Sequence, residues 1–346
     1  MFFAGWAKRS VLLLLAVFLL AGCGESLHKQ QSYVFGTLVE ITVYGEAEDK
    51  ARRVTDLVLK DFDAMHQTLH AWQPGALEQL NAQIAKASTA SPMQATLTPE
   101  LAAMLSDAQR LSARAEGLFN PAIGNLVRLW GFHSDTFAAR LPEPKEVERL
   151  VKAAPDMSDL HIYGVALNAA NPALRLDLGG YAKGYALDRA AATLRREGVG
   201  NALINIGGNI LALGSKGRQK WKVGIQHPRR AGALAMLELH DGEAIGTSGD
   251  YQRFFELNGK RYCHLIDPRT GWPANQAQAV TVVVGGEHAG TLSDVASKPL
   301  FIAGPADWRR LAAKLGIDQA LFIAADGSVQ TTDQMAARLQ WNKDSK

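Results

Sequence analysis

The sequence predicts an α+β fold in which mixed, largely antiparallel sheets pack against helices. Two observations support this class. Short apolar strands are interleaved with helical runs along the chain, and tight hairpin signals, Asn258-Gly259 and Asp326-Gly327, join neighbouring strands. With 346 residues, the chain is long enough to bury a core of its own, as one large domain or as two lobes.

The N-terminal half contains one predicted strand and two predicted helices. We expect a strand over 33–44 with an irregularity at Gly36, and helices over 49–69 and from Pro99 to about 115. Thr98 is the expected N-cap of the second helix. The segment 85–99 is rich in Ala, Ser, Thr and Pro and is the best loop candidate. Residues 133–156 include a stretch rich in Pro and charge and are a candidate hinge between lobes.

The chain is organised around the stretch 177–188, which reads DLGGYAKGYALD. An apolar strand runs into Gly179-Gly180, and a helix is predicted over 182–196. Glycines let a bulky anion approach the backbone, and a helix N-terminus offers free N–H groups and partial positive charge. The arrangement is a candidate phosphate site with Lys183 in its first helical turn. It is neither a P-loop nor a dinucleotide fingerprint, and an ordinary turn with a solvated lysine is the alternative.

The C-terminal half alternates short strands with two helices. A buried-type strand over 202–206 runs into Gly207-Gly208, and two such turns suggest a shared site that needs close backbone approach. Further strands are expected over 221–226, 235–239, 254–257, 260–266, 280–284 and 321–324, and helices over 294–302 and 307–315. The strand over 260–266 delivers His264, and the first of these helices begins at Asp294.

Residues 1–22 form a predicted lipoprotein signal peptide. A positive n-region precedes the apolar run 11–20, which is too short to span a bilayer comfortably. The run ends in Leu-Ala-Gly-Cys, a lipobox that predicts cleavage and lipidation at Cys23. A plain signal peptide with an incidental cysteine, or an uncleaved anchor, is the alternative. Residues 23–32 would form a tether to the inner or outer membrane, so the protein is expected in the cell envelope, facing the periplasm.

Composition excludes two features. The net charge of +3 is nearly balanced and argues against nucleic acid as a partner. The chain has 2 cysteines, and once Cys23 is lipidated only Cys263 remains. No intrachain disulfide is therefore expected, and the fold must be held by its core.

Several motifs occur in a fixed order along the chain. They are FGTLVEITVY, LEQLN at 77–81, GLFNPAIGNLVRLWGF at 117–132, DLGGYAKGYALD, NIGGNI, GTSGDYQ with HLIDPRTG, and SDVAS before an apolar run. Together they resemble the ApbE family of FAD:protein FMN transferases. The resemblance implies that 33–340 forms an ApbE-like (T-fold-like) domain that uses FAD and magnesium. Such a domain moves FMN onto a hydroxyl, usually of threonine, in a partner such as a respiratory flavoprotein subunit, and releases AMP.

The resemblance also implies a set of site residues. The metal site would consist of the Gly180 carbonyl, the Asp294 carboxylate and Ser297. The flavin nucleotide would contact Phe35, Phe119, Asn120, Asp177, Gly179, Gly180, Lys183, Leu265 and Ile266. His264 and Asp294 would be catalytic, with His264 as general base because the ordinary pKa of histidine is near neutral.

Two of these residues, and also Arg269, have alternative interpretations from the sequence alone. His264 is equally well explained as a strand histidine on the polar face. Asp294 is an N-cap or a hard metal ligand, and the second is favoured only if a pyrophosphate binds nearby. Arg269 either pairs with phosphate or braces the turn at Asp267.

The chain departs from the family pattern at Phe35, where Met is usual, at Asn120, where Asp is usual, and at Lys298, where a metal-ligating hydroxyl is usual. Lys298 lies four residues after Asp294, so the two share a helical face. Lys298 either supplies a fixed positive charge in place of magnesium or points to solvent while the metal keeps its other ligands.

Three classes of function follow from these patterns. The first is an FMN transferase. The second is an FAD-binding or FAD-hydrolysing lipoprotein that has lost transfer to protein. The third is a structural envelope lipoprotein, against which the clustered Gly-Gly turns argue.

Overall fold

The computed structural model of the chain describes residues 26–134, 136 and 138–342. In this part of the chain, the helices are α1 (Glu48–Leu69), α2 (Ala76–Ile84), α3 (Pro99–Arg114), α4 (Gly124–Leu129), α5 (Pro144–Lys152), α6 (Ala182–Arg196), α7 (Ala289–Ala303), α8 (Trp308–Leu315) and α9 (Asp333–Ala336). The strands are β1 (Leu27–Val34), β2 (Thr37–Tyr44), β3 (Met93–Thr96), β4 (Leu160–Tyr163), β5 (Ala166–Ala169), β6 (Ala202–Ile206), β7 (Asn209–Leu213), β8 (Trp221–Gln226), β9 (Ala233–Leu239), β10 (Ala244–Gly249), β11 (Phe254–Leu257), β12 (Lys260–Cys263), β13 (Ala277–Val284), β14 (Gln319–Ala324), β15 (Val329–Thr331) and β16 (Gln340–Trp341).

The central feature is an eight-stranded sheet in the order β1-β2-β6-β7-β10-β13-β14-β15. Every neighbouring pair in it is antiparallel. Three smaller antiparallel sheets accompany it, in the orders β16-β9-β8, β3-β5-β4 and β11-β12. The predicted α+β class with largely antiparallel sheets is confirmed.

The two faces of the large sheet bury different clusters because strand side chains alternate between faces. In β13, Val280 and Val282 belong to the main core, which also contains the buried sides of α1, α3, α6, α7 and α8. Ala279 and Val283 belong to a second core with β8, β9 and α9. A third, smaller cluster around Trp130 joins α4 and α5 to the β11–β12 hairpin.

Helix α7 is capped by a residue of its neighbour α6. The Asp188 carboxylate accepts hydrogen bonds from the backbone N–H groups of Gly290 and Thr291, at 2.7 and 2.8 Å. These N–H groups belong to the first turn, which has no partners inside the helix. The helix therefore begins at Ala289, and the prediction that it begins at Asp294 is wrong, because the cap comes from another element.

The N-terminal strand differs from its prediction. Instead of one strand with an irregularity, β1 and β2 form a hairpin whose register runs from Leu27↔Tyr44 to Val34↔Thr37. Phe35 and Gly36 make the turn, both with positive φ. Residues 27–32 therefore belong to the sheet and not to the predicted tether 23–32. Polar residues fit there because β1 is an edge strand with a solvated face.

The predicted hinge over 133–156 contains α5. Pro144 takes the first helical position, and Val147 and Leu150 are buried against the cluster around Trp130. Residues 144–152 are therefore packed against the domain. The predicted loop over 85–99 likewise includes β3, which pairs with β5.

Local signals elsewhere act as predicted. The Thr98 hydroxyl accepts a hydrogen bond from the Leu101 N–H at 3.2 Å, so Thr98 caps α3 ahead of Pro99. In the described part of the chain, no helix has the length and apolarity needed to cross a membrane. The predicted signal peptide 1–22 and Cys23 lie outside the described residues.

Candidate functional site

The candidate site begins at Gly179-Gly180, the glycine turn, which leads into α6. The segment before it is extended, but its one strand-like bridge joins Arg175 to Ile123, so the predicted strand is not formed as such. Asp177 shapes the turn, because its Oδ1 accepts the Gly179 N–H at 2.8 Å. The exposed Gly179 and half-buried Gly180 thus stand at the surface, at the start of the helix.

The glycine turn is needed for close approach. Neither glycine has a positive φ, so backbone conformation does not demand them. A Cβ on Gly180 would lie 3.0 Å from Cε and 3.2 Å from Cδ of Lys298, and 3.6 Å from the Phe119 ring. The lysine side chain therefore passes directly against the backbone of the turn.

Gly207-Gly208, the second Gly-Gly pair, has a different explanation. Both glycines have positive φ and form the turn between β6 and β7. Gly207 packs against Thr37, which would collide with a side chain at that position. The hairpin accounts for both glycines without a ligand.

Asp294 links the two helices of the site. It lies in the second turn of α7, with 1% of its surface exposed. Its Oδ2 accepts the Gly184 N–H at 2.9 Å, in the first turn of α6. Asp294 therefore caps α6 from α7, which is neither of the roles that the sequence suggested for it. Gly184 must be glycine here, since a Cβ would lie 2.4 Å from the Gly290 carbonyl oxygen.

Lys298 pairs with the same aspartate. Its Nζ lies 2.5 Å from Asp294 Oδ1 and 2.6 Å from the Asp294 carbonyl oxygen. Only 16% of the lysine side chain is exposed. Of the two alternatives for Lys298, the structure shows pairing with Asp294, and it does not show a lysine pointing to solvent.

Lys183 stands in the first turn of α6, next to Gly184, whose N–H binds Asp294. Its charge lowers the pKa of Asp294 and of Lys298, and it also lowers the pKa of His264. We call Lys183, His264, Asp294 and Lys298 the charged centre, because Lys183 acts on the pKa values of the other three and Lys298 lies against the glycine turn.

The pKa values of the ion pair reflect burial and charge together. Burial by itself raises the pKa of Asp294, but the charges of Lys298 and Lys183 outweigh it, so the pKa lies below its ordinary value. Burial lowers the pKa of Lys298, and the Asp294 carboxylate opposes that shift. The carboxylate form of Asp294 is therefore the stable one.

His264 follows the end of β12 and is oriented by a backbone carbonyl. Its Nδ1 lies 3.2 Å from the Arg253 carbonyl oxygen, which can only accept a hydrogen bond. Nδ1 therefore carries the proton, and Nε2 has a free lone pair. Burial, then the charges of Lys183 and Arg253, lower the pKa of His264 to about 3. The expectation of a near-neutral pKa is wrong for this site, because burial and the charges of Lys183, Arg253 and Lys298 all disfavour the imidazolium.

Ser297 has its hydroxyl engaged within the protein. Its Oγ lies 2.8 Å from Ser248 Oγ and 3.0 Å from the Asp294 carbonyl oxygen, and the residue is 1% exposed. Ser248 belongs to the GTSG stretch of β10. This pairing ties α7 to the large sheet and leaves Ser297 buried.

A magnesium ion does not fit the residues present. Both carboxylate oxygens of Asp294 already bind protein groups, Lys298 and the Gly184 N–H. Among the residues that the structure describes, no three His, Cys, Asp or Glu side chains form a metal cluster. Two unit charges about 4 Å apart interact by about 4 kcal/mol at an effective dielectric constant of about 20, and a divalent ion doubles that repulsion from an ammonium. A lysine–aspartate pair thus stands where the resemblance implied a metal site of Gly180, Asp294 and Ser297.

Phe119 and Asn120 lie beside the turn on the loop before α4. Phe119 is buried and touches the Gly180 position. The Asn120 amide donates to the Pro155 carbonyl oxygen at 2.9 Å and accepts the Ala122 N–H at 3.0 Å. Asn120 thus fixes the loop that carries Phe119.

The remaining predicted flavin contacts lie on other elements. Phe35 is half-buried, with its ring 5.8 Å from that of Phe62 and 5.7 Å from that of His66. Leu265 and Ile266 follow β12, whose observed end is Cys263, and both side chains are buried in separate cores. Within the described residues, the Leu265 carbonyl oxygen accepts the Ala274 N–H at 2.8 Å, so this segment is held by its own hairpin.

Arg269 braces its own turn. Its Nε lies 3.0 Å from Asp267 Oδ1 and its Nη2 lies 2.8 Å from Asp267 Oδ2. The bracing interpretation is therefore the one that the structure supports.

The sequence did not indicate an aromatic and basic group next to the turn. Trp72 donates from Nε1 to Asp177 Oδ2 at 3.3 Å, and the Arg175 guanidinium lies 4.4 Å from the centre of the Trp72 ring. The His133 ring lies 5.3 Å from Trp72. Trp72 and Asp177 are 105 residues apart, so no local pattern could have joined them.

Sequence comparison assigns the family. The ApbE family model matches residues 35–322. An FAD:protein FMN transferase of Rhodobacter capsulatus is 42% identical over 308 residues, which cover 89% of this chain and 57% of that protein. The chain thus spans little more than half the length of this relative. The enzyme of the same name from Treponema pallidum is 31% identical, with 90% of this chain and 89% of that protein covered.

Structural comparison agrees. The crystal structure of the ApbE protein from Thermotoga maritima matches with a TM-score of 0.81 and 25% identity, covering 90% of this chain and 99% of that one. The apo flavinyl transferase ApbE of Pseudomonas stutzeri matches with a TM-score of 0.77 and 26% identity, covering 91% and 97%. Both the sequence and the fold place this chain in the ApbE family.

Proposed function

We propose that this protein transfers FMN from FAD to a threonine or serine hydroxyl of an acceptor flavoprotein and releases AMP. The observation that carries the proposal is the charged centre beside the glycine turn. Lys298 lies against the glycine turn, Lys183 stands in the first turn of the helix that follows it, and the exposed Gly179 leaves the backbone open to a bulky anion. The names of the relatives support the same reaction.

Phosphoryl transfer of this kind needs positioning and charge neutralisation more than covalent help. The acceptor hydroxyl oxygen forms a bond to the phosphorus of the FMN half. The P–O bond to the AMP half breaks, and AMP leaves with the electron pair. Lys183 neutralises the pyrophosphate, and the glycine turn lets it approach the backbone.

His264 is proposed as the acceptor of the hydroxyl proton. Its Nδ1–H is held by the Arg253 carbonyl, so Nε2 is the basic atom. The imidazole is already neutral over the physiological pH range, and a bound pyrophosphate would raise its basicity by adding negative charge nearby. Asp294 acts by holding Lys298 and the start of α6 in place.

The flavin nucleotide is proposed to contact both sides of the turn. The contact residues are Phe35, Phe119, Asn120, Asp177, Gly179, Gly180, Leu265 and Ile266. Support for this arrangement comes from Phe119 and Asp177, which both touch the glycine turn.

The test is covalent flavin on an acceptor. The purified protein is incubated with FAD and a threonine-bearing acceptor flavoprotein, or with the same acceptor carrying valine for that threonine. We expect flavin fluorescence and the mass of FMN on the threonine acceptor only, with release of AMP. Equal release of FMN and AMP with both acceptors, and no covalent flavin, would instead establish FAD hydrolysis.

FAD hydrolysis or simple FAD binding is the second candidate function. The observation that favours it is Lys298, which pairs with Asp294 at the position where the ApbE pattern has a metal-ligating hydroxyl. Loss of the metal can leave nucleotide binding intact while transfer to protein is lost. The valine acceptor separates the two candidates, because hydrolysis does not need the threonine.

We further propose that the protein works in the cell envelope, attached through lipidated Cys23 and facing the periplasm, with a flavoprotein subunit of a respiratory or redox complex as its acceptor. The lipobox and the short apolar run support this placement. Cys23→Ser is expected to release the protein from the membrane fraction. Mutant protein that is processed normally and still sediments with membranes would contradict the lipid anchor.

A further inference from the structure

Lys298 supplies the site with a largely buried positive charge that is held by protein groups. Its ammonium is held by the Oδ1 and the carbonyl oxygen of Asp294, at 2.5 and 2.6 Å. Its Cδ and Cε lie against the backbone of Gly180. The positive charge is therefore held next to the turn at which the pyrophosphate is proposed to bind.

Two other elements and a proline within α7 fix the Lys298–Asp294 pair. The N–H of Gly184 in α6 binds the second carboxylate oxygen of Asp294. Ser248 of β10 binds Ser297, the residue before Lys298. Pro299 follows within the helix and has no N–H to donate, which interrupts the regular hydrogen bonding of α7 at this point. The lysine is thus held in one arrangement before any ligand arrives.

A divalent ion and the Lys298 ammonium cannot share Asp294. The carboxylate carries one negative charge, and the ammonium already balances it. A magnesium ion at the same oxygen would stand beside a buried positive charge, and Lys183 would add a second. The site thus holds a cation without a metal.

We propose that the Lys298 ammonium takes the place of a divalent cation beside the pyrophosphate of FAD, so that this chain binds FAD without magnesium. The inference rests on the proposed function in taking FAD as the ligand. Lys183 supplies the second positive charge, and together the two lysines match a pyrophosphate with two negative charges. Asp294 is a positioning residue that holds the ammonium.

The first experiment needs no substitution. FAD binding to the purified protein is measured by flavin fluorescence in EDTA and in millimolar Mg²⁺, and Mn²⁺ binding is measured separately by electron paramagnetic resonance. We expect the Kd for FAD to differ by less than about twofold, since the charge comes from the protein, and no Mn²⁺ to bind with or without FAD. Stoichiometric Mn²⁺ binding, or FAD affinity that falls about tenfold or more in EDTA, would overturn the inference.

The second experiment restores a hydroxyl at the site. Lys298→Thr should weaken FAD binding in EDTA by about tenfold or more, the loss typical of a charge-assisted contact, and regain affinity in Mg²⁺. Mn²⁺ should then bind. The matched control is Lys314→Thr, which removes an exposed lysine paired with Glu116 and should change neither FAD nor Mn²⁺ binding. If Lys298→Thr does not fold, the wild-type measurements still decide.

The outcomes separate this inference from the proposed function. Metal-independent FAD binding without covalent flavin on any acceptor would support the lysine cation and contradict protein flavinylation. Transfer that proceeds only with Mg²⁺, together with Mn²⁺ binding, would support flavinylation and overturn the lysine cation. Absence of FAD binding under all conditions would overturn both.

Discussion

Lys183 gives the most direct test of whether a phosphate binds at the glycine turn. It stands in the first turn of α6, and its charge influences three members of the charged centre. Within the described residues, no hydrogen bond or ion pair engages its ammonium, so the charge is available to a ligand. A positive charge in the first turn of a helix is stabilising only if an anion binds nearby.

Lys183→Ala is expected to weaken FAD binding by about 1.5–3 kcal/mol, because it removes a charge-assisted contact to phosphate. The measurement is calorimetric titration of FAD into the wild type and the variant. Lys86→Ala, at an exposed position just after α2, is the control and should bind as the wild type does. Equal affinity in wild type and Lys183→Ala would make Lys183 an ordinary surface residue.

His264 links the chemistry of the site to stability. Its folded pKa of about 3 lies below the ordinary value of about 6.5, so between these values the unfolded chain binds a proton that the folded chain does not. The stabilisation is present above about pH 6.5 and is lost progressively as the pH falls toward 3. At pH 5 the loss is at most about 2 kcal/mol, since one pKa unit corresponds to about 1.4 kcal/mol.

His264→Gln should therefore flatten the fall in unfolding free energy between about pH 6.5 and pH 5, as measured by urea denaturation. The exposed His161→Gln variant is the control and should follow the wild-type curve. In the unliganded wild type, the NMR signals of the His264 ring should stay constant over that range. A midpoint near pH 6.5 for those signals would show that the imidazole is not buried against positive charge.

At the scale of elements, the contact between α6 and α7 sets the position of the charged centre. The two helices meet glycine to glycine, because a Cβ on Gly184 would lie 2.4 Å from the Gly290 carbonyl oxygen and 2.7 Å from Asp294 Cβ. The same approach lets the Gly184 N–H reach Asp294. The close packing of α6 on α7 therefore also fixes the position of Asp294 in the charged centre.

Gly184→Ala is expected to cost about 1–3 kcal/mol of unfolding free energy, the usual range for overpacking a core. It should also weaken FAD binding, because Asp294 and Lys298 must move. The control is Gly200→Ala, where a Cβ would meet nothing within 4 Å. That variant should be neutral or more stable by about 0.4–1 kcal/mol. Equal stability of the two variants would argue against the close contact.

At the scale of the whole molecule, the large sheet begins earlier than the tether prediction allows. Residues 27–32 supply six of the eight register pairs between β1 and β2. Gln30 also reaches α1, where its side chain binds Asp56 at 2.6 Å. The edge of the sheet thus depends on a segment that the sequence presents as polar linker.

Deleting residues 27–32 is expected to lower the unfolding free energy by at least about 2 kcal/mol, since each backbone hydrogen bond contributes about 0.5–1.5 kcal/mol net. Thermal unfolding of the full chain and the deletion measures this. Inserting Gly-Ser after Glu25 lengthens the segment ahead of the strand and should leave the melting temperature unchanged. A deletion variant as stable as the full chain would show that residues 27–32 belong to the tether, as the sequence predicted.

The sequence by itself determined the features that depend on neighbours along the chain. The predicted bounds of α6 coincide with those observed, and Thr98 caps α3 as expected. The turn at Asn258-Gly259 joins β11 to β12. Helix periodicity, a capping hydroxyl and an Asn-Gly pair each act over a few residues, so their spacing is visible in the sequence. The order of several such motifs was enough to indicate the family.

Only the tertiary structure decided where the site helices begin and which site groups carry a charge. Gly184 and Asp294 are 110 residues apart, and Asp188 caps α7 from 102 residues away. The pKa of His264 depends on Lys183 and on burial, neither of which is visible from its neighbours in sequence. Lys298 could be placed on the Asp294 face from helical spacing, but only packing against Gly180 showed that its ammonium is buried in the site. Burial and long-range contacts arise when distant elements pack, and sequence spacing does not record them.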